Sequence, residues 1–416
     1  MDSALTVGLL IDDSLDRPDG VQQYVLTLGA WLAAQGHTVH YITASTDRED
    51  LTNLHVISRT VKVTFNGNQL GTPRPVSRAA ARALVGSLGL DVLHVQMPYS
   101  PLLAGRVIDA AADAGVAVVG TFHIYPQSWL VAAGARVLGW MERRRLRKFS
   151  QVIAVSEAAQ DFARTAFGIE TRVIGNPVDI AAFTPPFTYD DAARSDNVPA
   201  QPAADDATQG DDMAQPSTRV TSSAKLVFLG RLVERKGPRQ LVAALGRLHA
   251  DRPELAWTAV IAGRGPMLDD LQRSGADDGI VDRLEFPGFI AEEDKAALLS
   301  SADVVALPST GGESFGISVV EALAASTGVV LAGDNPGYRT VMRGLEPQLV
   351  NPDATETFSA ALASWLDALT DSTTRATVTD AQHAAAARFD IHTIGAQVEA
   401  VYRDATAPET RPLLQS

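Results

Sequence analysis

The chain runs twice through the same alternation of strand-like and helix-like segments, and the two runs are separated by a segment that cannot fold this way. Short, almost wholly apolar runs read as buried strands at 4–11, 38–43, 91–96, 116–121, 151–155 and 172–174. Helically spaced apolar positions lie between them, at 20–35, 76–89, 100–114, 128–149 and 157–167. Strands that are apolar on both faces and alternate with helices call for a parallel sheet covered on both sides. The pattern restarts with strands at 225–229, 257–262, 284–286, 304–307 and 329–331. Helices are expected between and after them, near 237–250, 266–274, 292–300, 315–326, 336–342, 354–369 and 373–388. Residues 185–224 are rich in Pro, Ala, Asp, Ser and Thr and almost free of large apolar side chains. Such a segment cannot bury enough surface to offset the entropy of ordering it, and it reads as a flexible linker. A last amphipathic helix near 391–405 brings Ile391, Ile394, Val398, Val401 and Tyr402 onto one face. The expectation is an α/β chain of two Rossmann-like, doubly wound domains, 1–184 and 225–388. A linker (185–224), a final helix (389–406) and a tail (407–416) complete it.

Composition removes several classes. With no cysteine in 416 residues, disulfides, thiolate catalysis and Cys-ligated zinc are excluded. No apolar run reaches the ~18–20 residues of a membrane span. The opening MDSALTVGLLIDD has no basic start and no small-residue cleavage site, so it is expected to be a first strand in a cytoplasmic protein. The net charge of −14 is uneven: residues 1–150 carry 14 Lys+Arg against 12 Asp+Glu, and the remainder 21 against 37. An acidic whole argues against nucleic acid as a partner.

The local basic excess of the first half has two sources. Arg74, Arg78 and Arg82 recur every four residues and are expected on one helix face. Arg143, Arg144 and Arg145 follow the apolar and aromatic stretch 129–141. Basic amphipathic helices lie on anionic lipid surfaces; the alternative is two ordinary surface helices packing their apolar faces inward.

The segment Gly311-Gly312-Glu313-Ser314-Phe315-Gly316-Ile317 follows a strand and runs into a helix carrying Glu321. Glycines before a helix start leave backbone N–H groups facing an anionic ligand. Glu313 is expected at the loop tip and Glu321 two turns into the helix, about 12 Å away. In Phe228-Leu229-Gly230-Arg231-Leu232-Val233-Glu234-Arg235-Lys236-Gly237, a strand ends at Gly230 and Lys236 precedes the next helix. Arg231 and Lys236 at a carboxyl sheet edge suit a diphosphate. Gly263, in a GRGP turn, is a further sheet-edge glycine. In the first half, Gly20 opens a helix after strand one, and His123 lies just past a strand end. His94 sits inside a strand and His37 follows a helix-ending glycine; both read as structural. Asp12-Asp13 and Asp269-Asp270 read as loop and helix-surface acids rather than metal ligands.

The order GVQ…GHTV, DVLH, TFH, VIAVSEAA, GNPVD, FLGRLVERKG, IAGRGP, FPGF, SADVVALPS and GGESFGISVVEALAAS resembles the family 4 retaining glycosyltransferases of the GT-B fold. The GGESFGI…E segment and Phe65-Asn66-Gly67 are most similar to bacterial phosphatidylinositol mannosyltransferases and their relatives. The resemblance implies two Rossmann domains facing a cleft and a last helix crossing back to the first domain. It implies Arg231 and Lys236 on the donor diphosphate, Glu313 on the donor sugar and Glu321 on the ribose hydroxyls. Gly20, Gly230, Gly263 and the backbone of Phe315, Gly316 and Ile317 then line the donor site. His123 stands beside the transferred sugar, while Gln22, Asn66 and Asp13 fall at acceptor-side positions. The sequence departs from the family pattern at Asp19, Asp13, Asn176-Pro177-Val178-Asp179 and Ser326.

The expected function is a retaining hexosyltransferase at the cytoplasmic membrane face. It would use a nucleotide-sugar, with GDP-mannose favoured over a UDP-sugar, and a lipid-linked or polyol acceptor such as phosphatidylinositol. The family does not strictly require a divalent metal, and no cofactor is expected to be tightly bound. Three alternatives stay open: a UDP-sugar enzyme with a soluble or polysaccharide-precursor acceptor, a nucleotide-sugar epimerase of the same fold, and a non-catalytic binding module.

Overall fold

The computed structural model describes residues 3–16, 19–58, 60–65, 68–73, 76–97, 103–125, 129–184 and 223–407. Most of the segment expected as a linker, 185–222, lies outside them, as do Asn66, Arg74 and the residues after 407.

Among the described residues, nine strands come from the first half: β1 (Thr6–Ser14), β2 (Thr38–Ser45), β3 (Leu54–Val56), β4 (Thr60–Phe65), β5 (Asn68–Pro73), β6 (Val92–Gln96), β7 (Ala117–Phe122), β8 (Gln151–Ala154) and β9 (Arg172–Val173). Seven of them form one sheet in the order β3-β2-β1-β6-β7-β8-β9, with every pair parallel. The other two, β4 and β5, pair antiparallel, with Phe65 opposite Asn68. Sequence reading missed this hairpin, although Asn-Gly between two β-prone runs is a strong two-residue hairpin signal.

The second sheet has the order β12-β11-β10-β13-β14-β15. It uses β10 (Ala224–Leu229), β11 (Trp257–Ala262), β12 (Leu284–Gly288), β13 (Val304–Leu307), β14 (Val329–Gly333) and β15 (Leu349–Val350), again all parallel. Both faces of its central strands are apolar, as a parallel sheet between helices requires. Val227, Val305 and Val330 face one hydrophobic cluster, and their neighbours Leu226, Phe228, Val304, Ala306, Val329 and Leu331 face the other.

Each sheet reverses its winding once, between β1 and β6 and between β10 and β13. Ligands of open α/β sheets bind outside the carboxyl ends of the strands at such a switch point. The last helix, Ile391–Thr406, returns to the first sheet. Its Tyr402 hydroxyl lies 2.7 Å from His94 Nδ1, and Trp31 Nε1 donates to His392 Nδ1 at 3.1 Å. No helix among the described residues is long and apolar enough to cross a membrane.

Candidate active site

The carboxyl edges of the two sheets face each other across a cleft of about 660 Å³. The first half contributes Gly20, which opens the helix Gly20–Ala34 after β1, and His123, which directly follows β7. The second half contributes Gly230 and Arg231 after β10, Lys236, Gly263 after β11, and the loop 312–318 after β13. All eleven of the donor-side and His123 candidates picked from the sequence therefore line one cavity.

Glu313 organises the charges. It is 9% exposed, not at a solvent-facing loop tip as expected. Its Oε1 accepts from Arg235 at 2.6 Å, from Ser309 Oγ at 2.9 Å and from Lys236 Nζ at 3.0 Å. Burial pushes this carboxyl up, but Lys236 and Arg235 together with the hydrogen bonds outweigh it and hold it below the ordinary range. Arg231 is exposed and makes no ion pair among the described residues, so its guanidinium is free for an anion. The helix after the loop starts only at Ile317, so the eight residues between Glu313 and Glu321 are not one helical rise. Gly316 caps it at φ 107°, and a Cβ there would lie 2.6 Å from the Tyr338 ring. Only glycine takes this turn without strain.

Glu321 is 2% exposed and faces the cleft's far end. Lys295 Nζ lies 3.4 Å from it, and Gln23 Nε2 reaches across from the first half to donate to Oε1 at 2.9 Å. Burial lowers the Lys295 pKa, but Glu321 and Glu292 raise it further, so the ammonium persists. Opposite, His123 is buried, its Nε2 2.7 Å from Gln96 Oε1 and its ring edge-on to Tyr24 at 4.9 Å. Burial pushes its imidazole down to about 3, so it is neutral at neutral pH.

Some candidates fall elsewhere. Gln22 is buried and donates to the Ser14 carbonyl at 3.1 Å, and Asp13 Oδ1 accepts from the Ser14 N–H at 2.8 Å; neither lines the cleft. Asp12 is not a loop acid: it is buried near the end of β1, and Oδ1 accepts from Ala104 N–H at 2.6 Å. Asn66 lies outside the described residues. Sequence reasoning missed Gln23, Arg235, Lys295 and Ser309. Successive helix positions are about 100° apart, so choosing Gln22 over its neighbour picked the residue that turns inward. Lys295 was not legible because its partner Glu321 is 26 residues away.

On the outer side of the first half, Arg78 opens the helix Arg78–Leu88, while Arg74, expected on the same face, lies outside the described residues. Arg78, Arg82, Arg143 and Arg144 are exposed, while Arg145 is turned in against Asp109 and Glu142.

Two parallel α/β sheets presenting an Arg–Lys–Glu cluster and a buried histidine to a shared cleft are those of a GT-B glycosyltransferase. Solved structures share the architecture: a glycosyltransferase from Rickettsia africae aligns over 98% of this chain and 100% of its own at TM-score 0.71 and 15% identity. Anabaena HepE, in complex with UDP and glucose, aligns over 96% and 99% at TM-score 0.68 and 19% identity. Residues 18–182 match Glycosyltransferase Family 4, and residues 211–377 match Glycosyl transferases group 1. The phosphatidyl-myo-inositol mannosyltransferase of Mycobacterium tuberculosis is 30% identical over 96% of each chain, and that of Propionibacterium freudenreichii is 29% identical over 96% of this chain and 94% of its own. The chain belongs to the family 4 glycosyltransferases.

Proposed function

We propose that this glycosyltransferase moves mannose from GDP-mannose, with retention, onto a phosphatidylinositol-type or other polyol-headed acceptor at the inner face of the membrane. The observation that carries this reading is the cluster of Arg231, Lys236 and Glu313 at the sheet edge facing His123. The relatives named as phosphatidyl-myo-inositol mannosyltransferases support mannose as the transferred sugar and an inositol phospholipid as the acceptor.

In this reading the second half, 225–388, holds the nucleotide-sugar and the first, 1–184, the acceptor, with 185–224 as the link and 389–406 as the returning helix. Arg231 and Lys236 stabilise charge that grows on the leaving diphosphate as the glycosidic bond breaks, an effect largest in the transition state. Glu313 stays ionised and receives sugar hydroxyls. Glu321 takes the ribose hydroxyls. His123, uncharged, positions the sugar by hydrogen bonding, and the departing diphosphate accepts the acceptor's proton on the same face, which gives retention. Membrane contact is supported by Val137, Trp140 and Met141, which are 61, 77 and 64% exposed on one face of the helix Trp129–Leu146.

Thermal stabilisation by GDP-mannose, UDP-glucose, UDP-galactose, UDP-N-acetylglucosamine and ADP-glucose tests the donor. The expected result is a shift with GDP-mannose alone, lost in Arg231→Ala, and transfer to phosphatidylinositol vesicles. A selective shift with a UDP-sugar overturns the donor assignment.

A further inference from the structure

A second cavity, of about 500 Å³, lies between the helices Arg78–Leu88, Leu103–Asp113 and Trp129–Leu146 and shares no lining residue with the catalytic cleft. Six cations and three carboxylates line it. The carboxylates are already engaged. Asp109 takes Arg145 at 3.2 Å and Lys148 at 2.9 Å, Asp113 takes Arg82 at 3.3 Å, and Glu142 takes Arg145. That leaves Arg78, Arg106 and Arg144, one from each helix, with no ion pair among the described residues. Such a convergence is repulsive on its own and is relieved by an anion; guanidinium forks match phosphate oxygens best.

The groove's frame is fixed. The Arg145 guanidinium lies over Gly105, where an added Cβ would sit 2.7 Å from it, and its bonds to Asp109 and Glu142 tie two of the three helices together. One wall carries the apolar face: Met141 lines the groove and is 64% exposed, next to Trp140 and Val137. Positive groove and exposed apolar side chains thus share one rim, as needed at a lipid surface where phosphates sit just above the hydrocarbon. A chain of net charge −14 has no long-range attraction to an anionic membrane, so its binding must come from a local site.

We propose that this groove binds the phosphodiester of an anionic phospholipid headgroup through Arg78, Arg106 and Arg144, while Val137, Trp140 and Met141 enter the bilayer beside it. It rests on the membrane-facing reading of this side of the first half and is separate from the acceptor bound at the catalytic cleft.

The test is co-sedimentation of the full chain with phosphatidylcholine vesicles, with and without phosphatidylglycerol, at constant ionic strength. Saturable binding to the anionic vesicles is expected, competed by soluble glycerophosphate. Arg106→Gln should weaken it about 10- to 100-fold, the worth of a lost charged hydrogen bond. Arg136→Gln, exposed on the helix Trp129–Leu146 but outside the groove, should cost only about fivefold, the worth of one surface arginine. Unchanged GDP-mannose stabilisation of Arg106→Gln shows that it is folded. Equal effects of the two substitutions, with binding lost in Trp140→Ser/Met141→Ser and no competition by glycerophosphate, overturn the groove and leave the membrane reading standing. If the wild type ignores vesicles yet binds glycerophosphate by calorimetry through Arg106, a soluble phosphate ester is the ligand, and the lipid assignment is overturned. Binding to neither overturns both.

Discussion

The two halves of the catalytic cleft are built from opposite materials. The second half supplies fixed charge: Arg231, Arg235, Lys236 and Lys295 with Glu313 and Glu321. The first half supplies no cation: Gly20, Gln23, Asn176, a histidine held uncharged and one carboxylate, Asp19. A donor with a diphosphate needs the first kind of wall. An acceptor hydroxyl needs the second, where no cation competes for its lone pair and a buried neutral group orients it. Under the proposed function, this division matches the chemical asymmetry of the reaction.

The strongest test of this division is on the charged side. Arg231→Ala and Glu313→Ala should each lower kcat about 10²–10³-fold, as losing a group that stabilises transition-state charge does. Glu313→Ala should still bind nucleoside diphosphate by thermal shift, since Arg231 and Lys236 remain. Retained turnover in Glu313→Ala would remove Glu313 from the chemistry.

The neutral side predicts an unusual pH response. His94 and His123 are both pushed by burial to about 3 from an ordinary 6.5. The stability they contribute is full above pH 6.5 and is lost as pH falls, because the unfolded chain takes protons that the folded one refuses. From pH 6.5 to 5.5 each imidazole should cost about fivefold in the folding equilibrium, about thirtyfold together. Denaturant midpoints at the two pH values measure it. A His94 or His123 imidazole resonance titrating near pH 6.5 would break the claim that these groups are neutral by burial.

The carboxylate of the charged side runs later on the acid scale. Glu313 is held below its ordinary 4.5, so its ion pairs persist to lower pH and are lost only as pH falls through the lowered value. Glu313→Gln should remove that acid-limb step while leaving the histidine step in place. The smallest expected effect belongs to the bond that joins the walls. Gln23→Ala should raise the donor KM about fivefold with kcat unchanged, the worth of one hydrogen bond. A fall in kcat instead would make Gln23 part of the chemistry.

Much of this was legible without coordinates. Two parallel α/β runs follow from apolar strands alternating with helices, and the run from Gly230 to Gly237 and the loop from Gly311 to Ile317 stand out because their spacing is local. His94 was read as a core group, and it is, with Thr121 and Tyr402 on its two nitrogens. What was missed is non-local or rotational. The partners of Glu321 come from residues 23 and 295, and the choice between Gln22 and Gln23 turns on which way one helix is rotated.

The basic helices show the same boundary. Their charge and their Trp and Met were visible in sequence, but periodicity alone does not say which face turns outward. Docking against the helix Leu103–Asp113 did, by drawing Arg145 inward to Asp109 and leaving Trp140 77% exposed.

Local pattern thus determined the class of fold, the strand ends that line the cleft and the cations that the proposed function places on a diphosphate, because these depend on neighbours a few positions apart. Tertiary packing alone decided that Glu313 is buried between two cations, that His123 stays neutral and that three arginines on three helices share one groove. Each of those depends on which distant side chains exclude water from the same few ångströms, and that is a property of the assembled fold.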